Sequence, residues 1–281
     1  MRLTTLTLMS VLSLTAMAEP DQLWQMNGFD QPESVVMDKA RNQLLVSNIN
    51  GHPMELDGKG YISLMDADGK LLNKLWVTGL DAPKGMAVSG DWLYVADMQK
   101  LHKIDLTRGV LVESAAAPDA KMLNDVTVSP DGTVYVSDLI GGGIYRLQGK
   151  QLAIWMTPEQ LPHPNGLVWQ QDSLVVAEWG RGLNADFSTD QPGSLYRVNP
   201  QNQQMQVIAE GYQLGNLDGV VFNGEEILVS DWINGALYKV GGNERQLVMQ
   251  LPAGLADIGI SNGRLYMPLM HNGSVIAINL D

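Results

Sequence analysis

The sequence predicts an all-β chain, a six-bladed β-propeller whose ring is closed by an N-terminal strand that completes the last blade. Three observations predict it. A polar residue, a small residue, an alternating strand, a turn and a second strand recur as one unit. Each unit has room for four short strands, the content of a propeller blade. The last unit lacks its fourth strand, and an unattached strand precedes the first.

The six units begin Glu33-Ser34-Val35-Val36, Lys84-Gly85-Met86-Ala87, Asn124-Asp125-Val126-Thr127, Asn165-Gly166-Leu167-Val168, Asp218-Gly219-Val220-Val221 and Asp257-Ile258-Gly259-Ile260, at spacings of 51, 40, 41, 53 and 39 residues. After a tight turn such as Pro130-Asp131-Gly132, second strands follow at 44–47, 93–96, 134–137, 174–177 and 227–230. Third strands carry Tyr61, Tyr145, Tyr196 and Tyr238, and fourth strands contain Leu75-Trp76-Val77, Ile154-Trp155-Met156 and Val207-Ile208-Ala209. The sixth unit ends after its third strand, at residues 276–280, while Leu23-Trp24-Gln25-Met26 precedes Glu33 much as Leu75-Trp76-Val77-Thr78 precedes Lys84. Pairing this first strand with the last blade removes the open sheet edges that template aggregation. A pair of β-sandwiches would leave the six phased repeats unexplained.

Ahead of the propeller, Met1-Arg2 is followed by an apolar run to Met17, and Ala16-Met17-Ala18 has the small-x-small form of a cleavage site. Residues 1–18 are therefore expected to be a signal peptide. Residues 19–281 form one propeller domain, periplasmic or secreted, with no membrane span. Lys and Arg total 18 against 31 Asp and Glu, a formal charge of −13 that repels phosphate backbones and argues against nucleic acid as partner. The absence of Cys removes disulfides, thiol nucleophiles and cysteine metal sites, and four His leave little for a histidine-rich centre. Hard cations held by oxygen remain.

The first strand of a propeller blade lines the central channel, so Glu33, Lys84, Asn124, Asn165, Asp218 and Asp257 are expected to face the axis. Asp and Asn are poor strand formers. Two explanations stand: a wet channel that accepts any hydrophilic group, or a cation site in which three carboxylates and two amide oxygens converge. Calcium takes six to eight oxygens in flexible geometry and suits such a ring.

Several of these segments resemble one known group. Gln31-Pro32-Glu33-Ser34-Val35-Val36, Asn124-Asp125, His163-Pro164-Asn165-Gly166-Leu167 and Leu217-Asp218-Gly219 are similar to the gluconolactonase and senescence-marker-protein (regucalcin) family. Diisopropylfluorophosphatase and paraoxonase are more distant relatives in architecture. The resemblance implies a six-bladed propeller with a divalent cation, commonly calcium, near the centre of one face, hydrolysing lactones or phosphoester-like substrates. It implies Glu33, Asn124, Asn165 and Asp218 as metal ligands, with Asp218 also the general base or nucleophile and Asp125 a support beside them. The chain departs from the family in Ser34-Val35, where Gly-Pro is usual, and in Lys84, which either holds a substrate anion or neutralises Asp257.

The two long spacings place extra residues after the second strand of units one and four, at 48–60 and 178–193, on opposite sides of the same channel mouth. Long loops on a rigid scaffold form binding walls. His52, Met54, Arg181, Asn184, Asp186 and Phe187 are candidate contacts, as is His271 in the equivalent loop of unit six. The acids closing second strands (Asp97, Asp138, Glu178, Asp231) recur around the ring and read as scaffold. Trp155, Trp179 and Trp232 read as packing between blades, with stacking on a sugar as the alternative for a Trp near the mouth. The expectation is an exported, calcium-dependent hydrolase acting on a sugar lactone or related ester. Its rivals are a propeller that binds a small ligand or protein without catalysis, and a lyase acting on a cyclic ester or polysaccharide.

Overall fold

The computed structural model describes residues 20–280, so the expected signal peptide lies outside the described residues. Six four-stranded antiparallel sheets follow one another around an axis as a six-bladed propeller. Blade one consists of Pro32–Asp38, Gln43–Asn48, Gly60–Asp66 and Leu71–Leu80 in that order outward from the channel. Blade six holds Gly259–Ser261, Arg264–Leu269 and Ser274–Asn279, and its outer strand is the N-terminal Gln22–Asn27, paired Gln25 to Ile276 and Met26 to Val275. The ring therefore closes as the repeat pattern predicts. Trp24 on this strand sits over Gly69 in the outer turn of blade one, too close for any side chain there, and Trp76 covers Gly109 of blade two in the same way.

Burial follows the alternation of the strands. Six apolar clusters fill the gaps between neighbouring blades, such as Leu45, Ile62, Leu93 and Val95 between blades one and two. Blades three and four share Tyr135, Leu167, Leu174 and Trp155. A seventh cluster caps the channel and holds Ile49, Met98, Leu139, Trp179 and Met270.

The recurring acids are scaffold. Asp97 accepts the backbone N–H groups of Asp81 and Ala82, and Asp138 those of Lys121 and Met122. In blade one Asn48 does the same for Asp30. Each fixes the chain just before its own blade's first strand, where buried N–H groups would otherwise lack partners. Hydroxyls stitch blade to blade: Ser137 donates to the carbonyl of Asn165, and Ser230 to that of Ala256.

Candidate functional site

The first strand of five blades carries the same irregularity. Pairing with the second strand slips between Pro32 and Val35, Pro83 and Met86, Leu123 and Val126, Pro164 and Leu167, and Leu217 and Val220. Such a bulge re-aims the side chains it contains. The residues inside it are Glu33, Lys84, Asn124, Asn165 and Asp218, each followed by a small or acidic residue. All five are buried.

Register corrects one expectation. In blade six Leu255 pairs with Leu269 as Pro32 pairs with Asn48, which makes Ala256 the counterpart of Glu33 and Asp257 the counterpart of Ser34. The parallel bridge between Ser34 and Asp257, and the bond from Ser230 to Ala256, show the same alignment. The inner ring is therefore Glu33, Lys84, Asn124, Asn165, Asp218 and Ala256. Asp257 belongs to the next layer down the channel with Ser34, Gly85, Asp125, Gly166 and Gly219. The glycines there are steric requirements: a Cβ on Gly166 would stand 2.0 Å from the Asp218 carbonyl oxygen, and one on Gly219 2.2 Å from the Ile258 nitrogen.

Glu33, Asn124, Asn165 and Asp218 meet on the floor of one cavity of about 230 Å³, with Gln31 at the edge. Three of their oxygens, Glu33 Oε2, Asn124 Oδ1 and Asn165 Oδ1, are buried without any hydrogen-bond partner. Asn165 donates through Nδ2 to the Leu217 carbonyl, which turns its amide oxygen inward. Burial pushes the Glu33 carboxyl well above the usual carboxylate range, with the Asp218 and Asp257 carboxylates adding to the effect and Lys84 opposing it. Asp218 is raised by burial and then by Asp257, while the Asn165 side chain opposes.

Orphaned buried acceptors are costly and call for a donor or a cation. An all-oxygen set of two carboxylates and two amides fits a hard divalent ion. Among the described residues no three His, Asp or Glu side chains gather closely enough to hold a metal by themselves, so the two amide oxygens are needed to complete the set.

The other candidate residues separate. Lys84 is not on the cavity wall. Its ammonium donates to the Pro53 and Ala82 carbonyls and reaches Met98 Sδ, tying the blade-one loop to blade two. Burial lowers its pKa to about 8, against the pull of Glu33 and Asp97. Asp125 accepts from the backbone N–H groups of Val126 and Leu167, and Asp257 accepts from Ser34, so both brace neighbouring blades below the floor. Their other surroundings are the wider opposite end of the channel, about 530 Å³, walled mainly by Val, Leu and Ile of the first strands. His52 and Arg181 are outside the cavity; Arg181 pairs instead with Glu178. His271 does line it, edge-on to Trp232 at 4.8 Å between ring centroids.

Sequence reasoning named Phe187 and allowed a Trp at the mouth, but missed that these belong to a continuous apolar wall above the floor. Pro53 and Phe187 reach it from the two long loops, on opposite sides as expected, but Trp179 and Trp232 are wall residues as well. The signal was periodic. The residue following the second strand is Ile49, Met98, Leu139, Trp179, Trp232 and Met270 in successive blades, and all but Met98 line the cavity. In five blades its N–H donates to the carbonyl two positions before the ring residue, as Ile49 to Gln31, Leu139 to Met122 and Trp179 to His163. Those bonds set an apolar ring directly above the polar one.

No protein-family model and no curated protein sequence matches the chain. Solved structures do, in fold. A provisionally assigned gluconolactonase is 18% identical with a TM-score of 0.66, over 94% of this chain and 92% of that one. Virginiamycin B lyase from Staphylococcus aureus is 11% identical with a TM-score of 0.64, over 92% and 99%. A chain of the nidogen/laminin complex is 15% identical with a TM-score of 0.66, over 79% and 87%. The fold thus serves enzymes and a protein complex alike. Among the described residues no helix is long and apolar enough to cross a membrane.

Proposed function

We propose that this chain is an exported hydrolase that opens a lactone or related ester at the channel mouth. It would hold a divalent cation, calcium foremost, through Glu33, Asn124, Asn165 and Asp218. The observation that carries the reading is the convergence of three buried, partnerless oxygens with the Asp218 carboxylate on one cavity floor. Likeness to a provisionally assigned gluconolactonase supports it.

Bound there, such a cation supplies Lewis acidity toward an ester carbonyl. The chain's residues do the rest. Asp218, at the cavity floor beside the reacting carbonyl, accepts a proton from the water that adds to the carbonyl carbon. The acyl C–O bond then breaks, the ring oxygen takes up a proton, and a hydroxy acid leaves. The apolar ring limits competing water and orients the substrate's body. Asn165, fixed by its bond to Leu217, holds its amide oxygen in place. Export rests on the sequence of residues 1–18, and a secreted product beginning at Glu19 tests it.

The test of function is a calcium titration of chelator-treated protein by calorimetry, alongside acid release from a lactone panel. Saturable one-site binding, weakened in Asn165→Ala and Asp218→Ala, with turnover abolished in the latter, is expected. No binding by the folded chain, or full turnover in Asp218→Ala, overturns the reading.

A second reading, elimination from a cyclic ester, is favoured by His271 on the cavity wall and by the likeness to virginiamycin B lyase. There a base removes a proton from carbon, the C–O bond breaks, and an unsaturated acid forms. Its ultraviolet absorbance distinguishes it from hydrolysis.

A further inference from the structure

We propose that the cavity takes a monocyclic lactone or ester carrying a compact alkyl or aryl substituent, and refuses the polyhydroxylated lactones of sugars. The inference rests on the hydrolase reading and names its substrate class.

Apart from Gln31 at its edge and His271 on its wall, the polar groups of the cavity lie on its floor, where a single ester function would engage them. The rest of the wall above the floor is apolar, formed by Ile49, Leu139, Trp179, Phe187, Trp232 and Met270. The Trp179 indole N–H is already engaged by the Phe187 carbonyl at 2.9 Å, so it is not free for a substrate hydroxyl. A sugar lactone carries hydroxyls around its ring and would press some of them against this wall. Each buried there without a partner weakens binding by about tenfold or more. An alkyl or aryl group in the same place gains by leaving water. The volume agrees: a dry cavity of about 150 Å³ takes a benzene ring, and this one of about 230 Å³ adds room for the ester.

Phe187 points to the same use. It sits at φ 66° in the hairpin of Gly180–Leu183 and Thr189–Pro192, a left-handed conformation that is unfavourable for a bulky side chain. Bonds from Phe187 N–H to Asn184 and from Trp179 to Phe187 hold it there. Strain of this kind persists where a side chain must be presented.

The experiment compares kcat/KM for γ-octalactone, with its butyl tail, and glucono-δ-lactone on the calcium-loaded full mature chain. In parallel, the butyl-substituted γ-lactam of the same skeleton is titrated by tryptophan fluorescence. A kcat/KM at least about tenfold higher for the butyl lactone is expected, with saturable quenching by the lactam that weakens about tenfold in Phe187→Ala. Equal or better turnover of the sugar lactone overturns the proposal while leaving the hydrolase reading intact. Lactam binding with neither lactone hydrolysed supports the apolar selection and overturns the hydrolase reading. Absence of lactam quenching in the folded wild type overturns the proposal.

Discussion

The Ser34 hydroxyl donates to Asp257 Oδ2 at 2.5 Å, joining blade one to blade six across 223 positions of sequence. The pair lies where the ring closes, one layer beneath the cavity floor. Burial raises the Asp257 carboxyl to about 7, against the stabilising effect of Ser34. A carboxyl raised in the folded chain contributes stability that is fully present below the unfolded value near 4 and is lost as pH rises through the folded value. Chelator-treated protein should therefore lose thermal stability between about pH 4 and 7. Asp257→Asn should flatten part of that loss; Glu33, Asp125 and Asp218, raised in the same direction, account for the remainder. An unchanged pH profile of Tm in Asp257→Asn would remove Asp257 from this account.

Calcium should act in the opposite sense. The cation requires the ionised carboxylates of Glu33 and Asp218, so its affinity should increase as pH rises and protons leave. At a hundred times its dissociation constant it should stabilise the fold by about 2.7 kcal/mol. Scanning calorimetry with and without calcium at pH 5 and pH 8 should show the larger increase in Tm at pH 8. Asn124→Ala should reduce that increase without altering the calcium-free Tm by more than about 2 kcal/mol equivalent, because its Oδ1 has no partner to lose.

Gly166 allows the floor to exist. An added Cβ would stand 2.0 Å from the Asp218 carbonyl oxygen, so Gly166→Ala must displace either blade four or the bulge that aims Asp218. A destabilisation of about 1–3 kcal/mol is expected from such overpacking, together with loss of calcium binding. Gly90→Ala is the control for glycine replacement as such, since nothing lies within 4 Å of its Cβ, although its φ of 59° carries a strain of its own. Retained calcium affinity in Gly166→Ala would show that the floor tolerates the shift.

Much of this was legible in the sequence, for a physical reason. Blade geometry repeats, so any position the fold constrains recurs at a fixed phase: the turns, the acids that pin Asp81, Ala82, Lys121 and Met122, and the polar residues of the bulges. The closing strand was legible because a missing fourth strand and an unattached one complete each other. Blade six misled because its first strand shortens to Gly259–Ser261, and Asp257 mimics a ring residue while occupying the position of Ser34. Lys84 looked like a substrate ligand because its charge is visible in sequence, whereas its three partners, two of them carbonyls, are not. As a ring, the wall of Ile49, Leu139, Trp179, Trp232 and Met270 was overlooked although equally periodic, since apolar residues read as core until the structure shows a cavity beside them.

The hairpin tip separates stability from recognition. Phe187 holds φ 66°, a conformation Asn adopts readily, so Phe187→Asn should relieve backbone strain while deleting an aromatic wall group. The Tm should remain within about 1 kcal/mol equivalent of wild type or rise. Quenching by an apolar lactam should weaken in the same variant. A substantial fall in Tm would mean that Phe187 mainly packs the hairpin onto Trp179.

The closing strand is the most exposed test of the fold. Gln22–Asn27 covers the third strand of blade six, Ser274–Asn279, and delivers Trp24 to Gly69 and to Tyr266, whose ring centroid is 6.0 Å away. A chain beginning at residue 29 would leave Ser274–Asn279 as an unpaired edge and strip Trp24 from the joint between blades six and one. Unpaired edges of this kind recruit other strands. Such a chain should associate, as followed by light scattering, and should lose calcium binding, because Glu33 stands in blade one beside the opened joint. Trp24→Ala, which keeps the strand but not the ring, should remain monodisperse and lose about 3–5 kcal/mol at most. A monodisperse, calcium-binding truncated chain would show that the six blades hold their ring without the closure.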